Sequence, residues 1–130
     1  NSVYVVGKTD SQGAGGDDLL IAKYNSGGTI QWQRKLSDSG HVYGYAITVD
    51  SSNNVIVVGW GVNTDTYILT AKYNSSGTIQ WKRQVYTIVS SVVYGTMFSI
   101  AVGSNNEFYA TGYTRVDASN SNGLPPRAAM

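Results

Sequence analysis

The sequence predicts an all-β fold made of tandem, four-stranded antiparallel units, each about 50 residues long. Two observations carry this prediction. A long segment of the chain returns almost unchanged, and within each copy apolar and polar residues alternate as they do in half-buried strands. No window shows the 3.6-residue apolar stripe of an amphipathic helix, so we expect essentially no helix.

The repeat is clearest in the segment AKYNSGGTIQWQR at residues 22–34, which returns as AKYNSSGTIQWKR at residues 71–83. Eleven of the thirteen positions are identical, at an offset of 49 residues. A second motif, VYVVG at residues 3–7, returns as VIVVG at residues 55–59 and as FYATG at residues 108–112. Periods of this length are typical of solenoids, propellers and other repeat arrays.

Nine strands are predicted from period-2 alternation, β-branched residues and the turns between them. Ile30, Trp32 and Leu36 share one parity along their strand, with polar residues between them. The NSGG and NSSG segments that follow Tyr24 and Tyr73 supply residues that tolerate positive φ in tight hairpins. The predicted strands centre on residues 3–7, 19–24, 29–36, 46–50, 55–60, 67–73, 78–85, 98–102 and 107–113.

Four successive motifs resemble the bacterial and phage β-propeller repeats known as SBBP-type repeats. They are AITVD at residues 46–50, NVIVVG at 54–59, AKYNSSG at 71–77 and TIQW at 78–81. The resemblance extends over residues 1–114 and implies four-stranded blades, in a partial propeller or a ring-forming oligomer. It implies no particular activity, because that family is poorly defined functionally.

Residues 1–114 hold about two and a quarter such blades, whereas closed propellers typically have 4–8. Residues 115–130 lack strand periodicity and are predicted to form an irregular C-terminal tail. The chain is therefore either a fragment or one part of an oligomeric ring. The partners we expect are further copies of the chain or neighbouring blades.

Composition excludes several functional classes. The charged fraction is 13%, the net charge is +1, and the nine Lys and Arg residues are scattered, so we expect no nucleic-acid partner. The basic pairs at residues 34–35 and 82–83 are interpreted as solvated strand ends. The absence of cysteine excludes disulfides and thiolate metal sites. No apolar run reaches the roughly 18–20 residues that span a bilayer, so we expect no membrane insertion.

Four aromatic residues recur at matching positions of the repeat. A residue that is present in every unit usually serves what every unit needs, so we interpret these residues as packing between units, with both tryptophans largely buried. The alternative is that they are stacking platforms for sugars. The repeated residues are Tyr24, Trp32, Tyr73 and Trp81.

Trp60 and Tyr113 are the candidate ligand-binding residues. They share one position of the repeat, which Lys8 fills in the first unit. A position that varies between otherwise matching units is a better candidate for function than an invariant one. Trp60 is expected just after a strand that ends at Gly59, where a loop begins. A lone surface aromatic without function is the alternative.

No catalytic residue, cofactor or metal ion is predicted. His41 is the only histidine, and with no cysteine and one glutamate an acid–base site has few possible members, so we expect a surface-loop histidine. The segment GAGGDDL at residues 13–19 lacks the helix that a phosphate-binding loop requires. It also resembles a calcium-binding nonapeptide, but Gln12 replaces the first glycine and no second copy follows, so a flexible loop is favoured.

The segment VYTIVSSVVY at residues 85–94 is longer and more apolar than its counterpart at residues 36–43. The excess apolar content predicts a contact surface, either for the next unit or for a partner subunit. The residues of this predicted surface are Tyr86, Ile88, Val89, Val92 and Val93.

These observations favour a non-catalytic structural or adhesive module of a virion, cell-surface or extracellular protein. The abundance of uncharged polar residues, which is frequent in such proteins, supports that location. A carbohydrate-binding propeller that recognises surface glycans is the first alternative. A fragment of a propeller enzyme, with its active site outside this segment, is the second.

Overall fold

The computed structural model describes residues 1–10, 16–86 and 93–116, with the side chains of residues 93–96 and 114–116 excluded. The described residues form antiparallel β-sheets and no helix, so the all-β prediction is confirmed. It follows that no helix in this part of the chain is long and apolar enough to cross a membrane.

The described residues form nine strands in three sheets, and each predicted strand overlaps an observed one. The first sheet has the order β1-β2-β3, the second β4-β5-β6-β7 and the third β8-β9, so within each sheet the strands pair in the order of the sequence. The strands are β1 (Ser2–Asp10), β2 (Asp17–Asn25), β3 (Ile30–Leu36), β4 (His41–Val49), β5 (Val55–Val62), β6 (Thr66–Tyr73), β7 (Ile79–Tyr86), β8 (Val93–Val102) and β9 (Phe108–Val116).

Two hairpins of identical design connect β2 to β3 and β6 to β7. In each, an asparagine side chain organises the turn: Asn25 Oδ1 accepts hydrogen bonds from the amides of Gly27 and Thr29 at 3.0 and 2.9 Å. Asn74 Oδ1 accepts the equivalent pair of bonds at 3.1 and 2.9 Å. Both turns end on a glycine with positive φ, a conformation that costs glycine little.

Irregularities in strand pairing also fall at matching positions. The register shifts between Lys23 and Tyr24 in the first sheet and between Lys72 and Tyr73 in the second. A further shift lies between residues 44 and 46 of β4 and another between residues 97 and 99 of β8. The sequence copies therefore adopt the same local backbone, bulges included.

The sheets pack through their first strands. β4 lies against β1 and β2, and β8 lies against β4, β5 and β6. The space between the first and second sheets is filled by one apolar cluster, with Trp32 and Leu36 among the half-buried residues at its margin. The buried members are Leu19, Ile21, Val42, Val55, Val57, Tyr67, Leu69, Ala71 and Tyr73.

The repeated aromatic residues differ in burial. Trp32 and Trp81 are both of intermediate burial, and their environments match in part. Tyr73 is a core residue with 3% of its surface exposed, whereas Tyr24 is half-buried. The difference arises because Tyr73 lies between two sheets and the first sheet has no described sheet before it.

Two predicted boundaries also shift. Trp60 lies inside β5, which continues to Val62, so the expected loop after Gly59 does not form there. Trp60 pairs with Tyr43 on one side and with Ile68 on the other, and this two-sided pairing extends the strand. In the same way β9 extends to residue 116, two residues into the predicted tail, and residues 117–130 lie outside the described part of the chain.

We predict that Ile21→Ala lowers the free energy of unfolding by about 2–5 kcal/mol, because it leaves a cavity in the core between the first two sheets. Val3→Ala is the control, since that side chain is 55% exposed at the edge of the same sheet, and its cost should stay within about 0.5 kcal/mol. Urea denaturation followed by circular dichroism measures both values. Equal losses in the two variants would contradict this packing.

Candidate functional site

A cluster of polar and aromatic side chains lies where the first sheet meets the second. We call it the junction cluster, and it comprises Lys8 of β1, Asp17 of β2, His41 and Tyr43 of β4, and Trp60 of β5. Lys8 Nζ lies 3.0 Å from Asp17 Oδ2. The backbone amide of Asp17 donates a hydrogen bond of 3.1 Å to His41 Nδ1. The sequence predicts a surface-loop histidine, but His41 is the first residue of strand β4.

The electrostatics of the junction cluster keep its carboxylate ionised. Hydrogen bonds with the Asp10 carboxyl and with the Lys8 ammonium lower the pKa of Asp17 to about 2. Asp17 in turn raises the pKa of Lys8. Burial, together with a hydrogen bond to Asp17, raises the pKa of the Tyr43 phenol. Asp17, Lys8 and Tyr43 therefore keep their ordinary charge states at neutral pH. A catalytic group transfers protons fastest when its pKa lies near the working pH, and the pKa values of these three groups are moved away from neutrality.

An aromatic stack completes the junction cluster. The ring of Tyr43 lies 4.6 Å from that of Trp60, at an interplanar angle of 23°, and 6.0 Å from that of His41. The indole Nε1 of Trp60 is buried, and no hydrogen-bond acceptor among the described residues reaches it. A cleft of about 350 Å³ opens beside the stack, lined by Gly7, Lys8, Tyr43, Gly44 and Tyr45. The predicted ligand-binding residue Trp60 is thus half-buried and stacked on Tyr43, which also contacts the ring of His41.

Tyr113, the other predicted ligand-binding residue, lies in the third sheet and not in the junction cluster. Its ring stacks on that of Phe98 at 5.5 Å and 26°, and the two residues are 48% and 64% exposed. We call them the aromatic pair. Tyr109, four residues before Tyr113 in β9, is 63% exposed. Sequence analysis missed Phe98, whose position at the register shift of β8 places it beside Tyr113.

The predicted contact surface is described only at its ends. Tyr86 is 46% exposed and packs against Tyr67 with ring centres 5.5 Å apart. Ile88, Val89 and Val92 lie outside the described residues, and of Val93 only the backbone, in β8, is described.

A second set of side chains, which the sequence analysis missed as a unit, binds the backbone of the next sheet. Lys23, Trp32 and Arg34 form this turn receptor, and its ligand is the β6–β7 turn at residues 74–78. Trp32 Nε1 donates to the carbonyl oxygen of Ser75 at 3.1 Å, and Lys23 Nζ donates to the same oxygen at 3.3 Å. The Arg34 guanidinium donates to the carbonyls of residues 76 and 77 at 3.2 and 2.7 Å.

Glycine is required at the point where the turn meets the receptor. A Cβ on Gly77 would lie 2.8 Å from the Trp32 indole, so the turn can approach the ring only without a side chain there. The guanidinium of Arg34 lies over the same ring, 5.7 Å from its centre. The interpretation of the basic pairs as solvated strand ends is therefore wrong for Arg34. It is incomplete for Lys35, whose Nζ lies 2.8 Å from Asp18 Oδ2.

Two buried or half-buried aspartates stabilise the connections between strands. Asp38 Oδ2 accepts hydrogen bonds from Tyr67 Oη at 3.0 Å and from Gln84 Nε2 at 2.6 Å, and so joins the β3–β4 loop to the second sheet. Asp50 accepts hydrogen bonds from Ser52 and Asn54 in the β4–β5 turn, and its Oδ2 lies 3.0 Å from Lys72 Nζ.

Within the described ranges, no three His, Asp or Glu side chains are grouped so that they could hold a metal ion. No protein-family model matches the chain, and no curated protein matches its sequence. The resemblance to propeller repeats therefore stays a prediction carried by the motifs themselves.

We predict that Gly77→Ala destabilises the chain more than Gly28→Ala, by at least about 1 kcal/mol. Both glycines have φ near +80°, at +77° and +79°, so the backbone strain of an added Cβ is common to the two variants. Only at Gly77 does the Cβ meet the Trp32 indole, because nothing lies within 4 Å of a Cβ on Gly28. Denaturant unfolding of the two variants measures the difference, and equal losses would contradict the contact between turn and receptor.

We predict that Asp50 contributes to stability above about pH 4 and that the contribution is lost as the pH falls towards 2. Burial alone would raise the pKa of Asp50, but hydrogen bonds from Asn54, Lys72 and Ser52 outweigh it and lower the pKa from 3.8 to about 2. A depressed folded-state pKa makes stability fall with acidification through that window. Asp50→Asn should flatten the pH dependence of the melting temperature between pH 4 and 2. An unchanged dependence would contradict this role.

Proposed function

We propose that this chain is a non-catalytic structural or adhesive module built from β-propeller-type repeats. The observation that carries the proposal is the turn receptor. The side chains that recur from one unit to the next, an arginine and a tryptophan above all, bind the backbone of the following unit. A repeat whose recurring polar side chains bind the next unit is suited to building an extended array, in which each unit contacts only its neighbours.

The packing of the sheets supports a propeller-type arrangement. The first strand of each sheet lies against the inner strands of the sheet before it, β4 on β1 and β2, and β8 on β4 to β6. Sheets of four antiparallel strands that stack face to face in this sequence are what blades require. The matching bulges and turns support equivalent blades.

The state of the polar side chains supports a role without catalysis. In the junction cluster, Asp17 is neutralised by Lys8 and its amide is bound to His41. Asp38 and Asp50 are likewise used to fix loops and turns. These charged side chains therefore serve structural contacts. Because the chain has few charged residues, we propose an extracellular, cell-surface or virion location.

Carbohydrate binding is the second candidate function, and the aromatic pair favours it. Phe98 and Tyr113 present two stacked, exposed rings on the outward face of the third sheet. Exposed aromatic faces bind the apolar face of a sugar ring, with Tyr hydroxyl groups available for hydrogen bonds. Trp60 is a weaker candidate, because one face of its ring is covered by Tyr43.

We predict that the intact chain gives no specific signal on a glycan array, and that Tyr113→Ala and Trp60→Ala change nothing. The physical reason is that the proposed structural role uses neither ring for ligand binding. Tyr109→Ala is the matched control, since it removes an exposed tyrosine of the same strand on which no ring of the described residues stacks. A glycan that binds the intact chain and the control, and is lost with Tyr113→Ala, would replace the structural proposal with the lectin.

A further inference from the structure

The second sheet carries a copy of the turn receptor on the corresponding face. Lys72, Trp81 and Arg83 follow Lys23, Trp32 and Arg34 at the offset of 49 residues. The guanidinium of Arg83 lies 5.8 Å from the ring centre of Trp81, compared with 5.7 Å in the first receptor. Arg83 Nη1 donates to the carbonyl of the preceding residue at 3.0 Å, as Arg34 Nη1 does at 2.7 Å. The tryptophan and the arginine of the second receptor thus already have the arrangement seen in the first.

No turn occupies this second receptor in the described part of the chain. Arg83 Nε and Nη2, and Trp81 Nε1, donate hydrogen bonds to no atom of the described residues, whereas their counterparts bind three consecutive carbonyls of the β6–β7 turn. Lys72 differs from Lys23, because its ammonium is paired with Asp50.

The face around the second receptor is also less covered. Leu19 and Ile21 of the first sheet are fully buried, but their counterparts in the second sheet, Ile68 and Thr70, are only half-buried. Val85, the counterpart of the half-buried Leu36, is 62% exposed. The strip of β6 and β7 that carries the second receptor is therefore partly exposed, whereas the corresponding strip of the first sheet packs against β6 and its turn.

The edge of β9 lies beside this strip. Among the described strands β9 pairs only with β8, whereas its counterpart β5 pairs with β4 and also with β6. Phe108 at the start of β9 stacks on Trp81, with ring centres 5.9 Å apart. Its counterpart Val55 pairs with Tyr73, the last residue before the turn that fills the first receptor. A strand paired with β9 in that register would lead its turn to Trp81 and Arg83.

We propose that the second receptor and the edge of β9 together bind a β-hairpin whose two strands are joined by an Asn-Ser-Xaa-Gly-Thr turn. The first strand of the hairpin extends the third sheet at β9, and the turn places its carbonyls against Arg83 and Trp81. The turn needs glycine at its fourth position, because a Cβ there would collide with the indole as at Gly77. Strand addition of this kind is a general mode of peptide recognition.

The occupant is a hairpin and not the first sheet of a second copy of the chain. In a second copy, β1 pairs with β2, and Val3 of β1 lies opposite Tyr24 just as Val55 lies opposite Tyr73. A second copy that docked its β2–β3 turn in the receptor would therefore bring β1 to the place that β9 already occupies.

A synthetic hairpin tests the proposal. The probe is the peptide of residues 66–86, which contains β6, its turn and β7, closed by a disulfide between cysteines added at its ends, because isolated hairpins are marginally stable. We expect the intact chain to bind this peptide in isothermal titration calorimetry. A Gly77→Asn peptide is the matched control: asparagine tolerates positive φ but places a side chain against the indole, and it should bind at least about tenfold more weakly.

Variants of the intact chain locate the site. Arg83→Ala should weaken binding about tenfold or more, because it removes two charge-assisted hydrogen bonds to the turn. Gln80→Ala is the control and should bind as the unchanged chain does, because this exposed side chain in the bulge of β7 donates to the carbonyl of Thr78 in its own turn, as its counterpart Gln31 does to Thr29. Hydrogen exchange should slow at the backbone amides of β9 when the peptide is present. Absence of binding, or equal binding by the Arg83→Ala and Gln80→Ala variants, or unprotected β9 amides would each overturn the proposal.

The inference deepens the proposed structural role, since it names what the array adds next, and the two can fail separately. Failure of the hairpin to bind would remove this interface and leave the result of the glycan array unchanged. Glycan binding through Tyr113 would remove the structural role and leave the hairpin site untouched.

Discussion

The capture of one sheet's turn by the preceding sheet is the contact on which the arrangement of the first two sheets depends. The carbonyls of a tight turn have no partner in the strand ladder, so they are free to accept hydrogen bonds from another sheet. Trp32 and Arg34 supply those donors, and the indole also gives Gly77 a surface to pack on. This contact fixes the distance between the sheets at their outer strands, while the apolar cluster fills the space further in.

Charge is used sparingly and locally in this chain. Asp17, Asp38 and Asp50 each lie between two elements and accept hydrogen bonds or ion pairs from both, so each acts as a connection between strands or sheets. Their pKa values are lowered by those contacts, which makes the structure sensitive to acid and leaves it little changed near neutrality. Such a pattern suits a durable scaffold, as the proposed function requires.

Much of the fold could be predicted because the strands and turns of each repeat depend on interactions between residues that are close in sequence. Alternation and β-branched residues placed the nine strands, and the asparagine and glycine of each NSxG segment placed the turns, since both act through their immediate neighbours. Boundaries were less predictable. The strand around Trp60 continues past Gly59, because pairing with strands on both sides outweighs the weak propensity of glycine for a strand.

The candidate sites could be predicted only in part, for a physical reason. By itself, the sequence determined the strands, their antiparallel order and which residues recur, because these follow from patterns within one unit. Contacts between units depend on how the sheets stack, which no local pattern encodes. Only the tertiary structure therefore decided that Arg34 binds a turn 43 residues later, that His41 and Trp60 share one stack, and that Phe98 lies beside Tyr113.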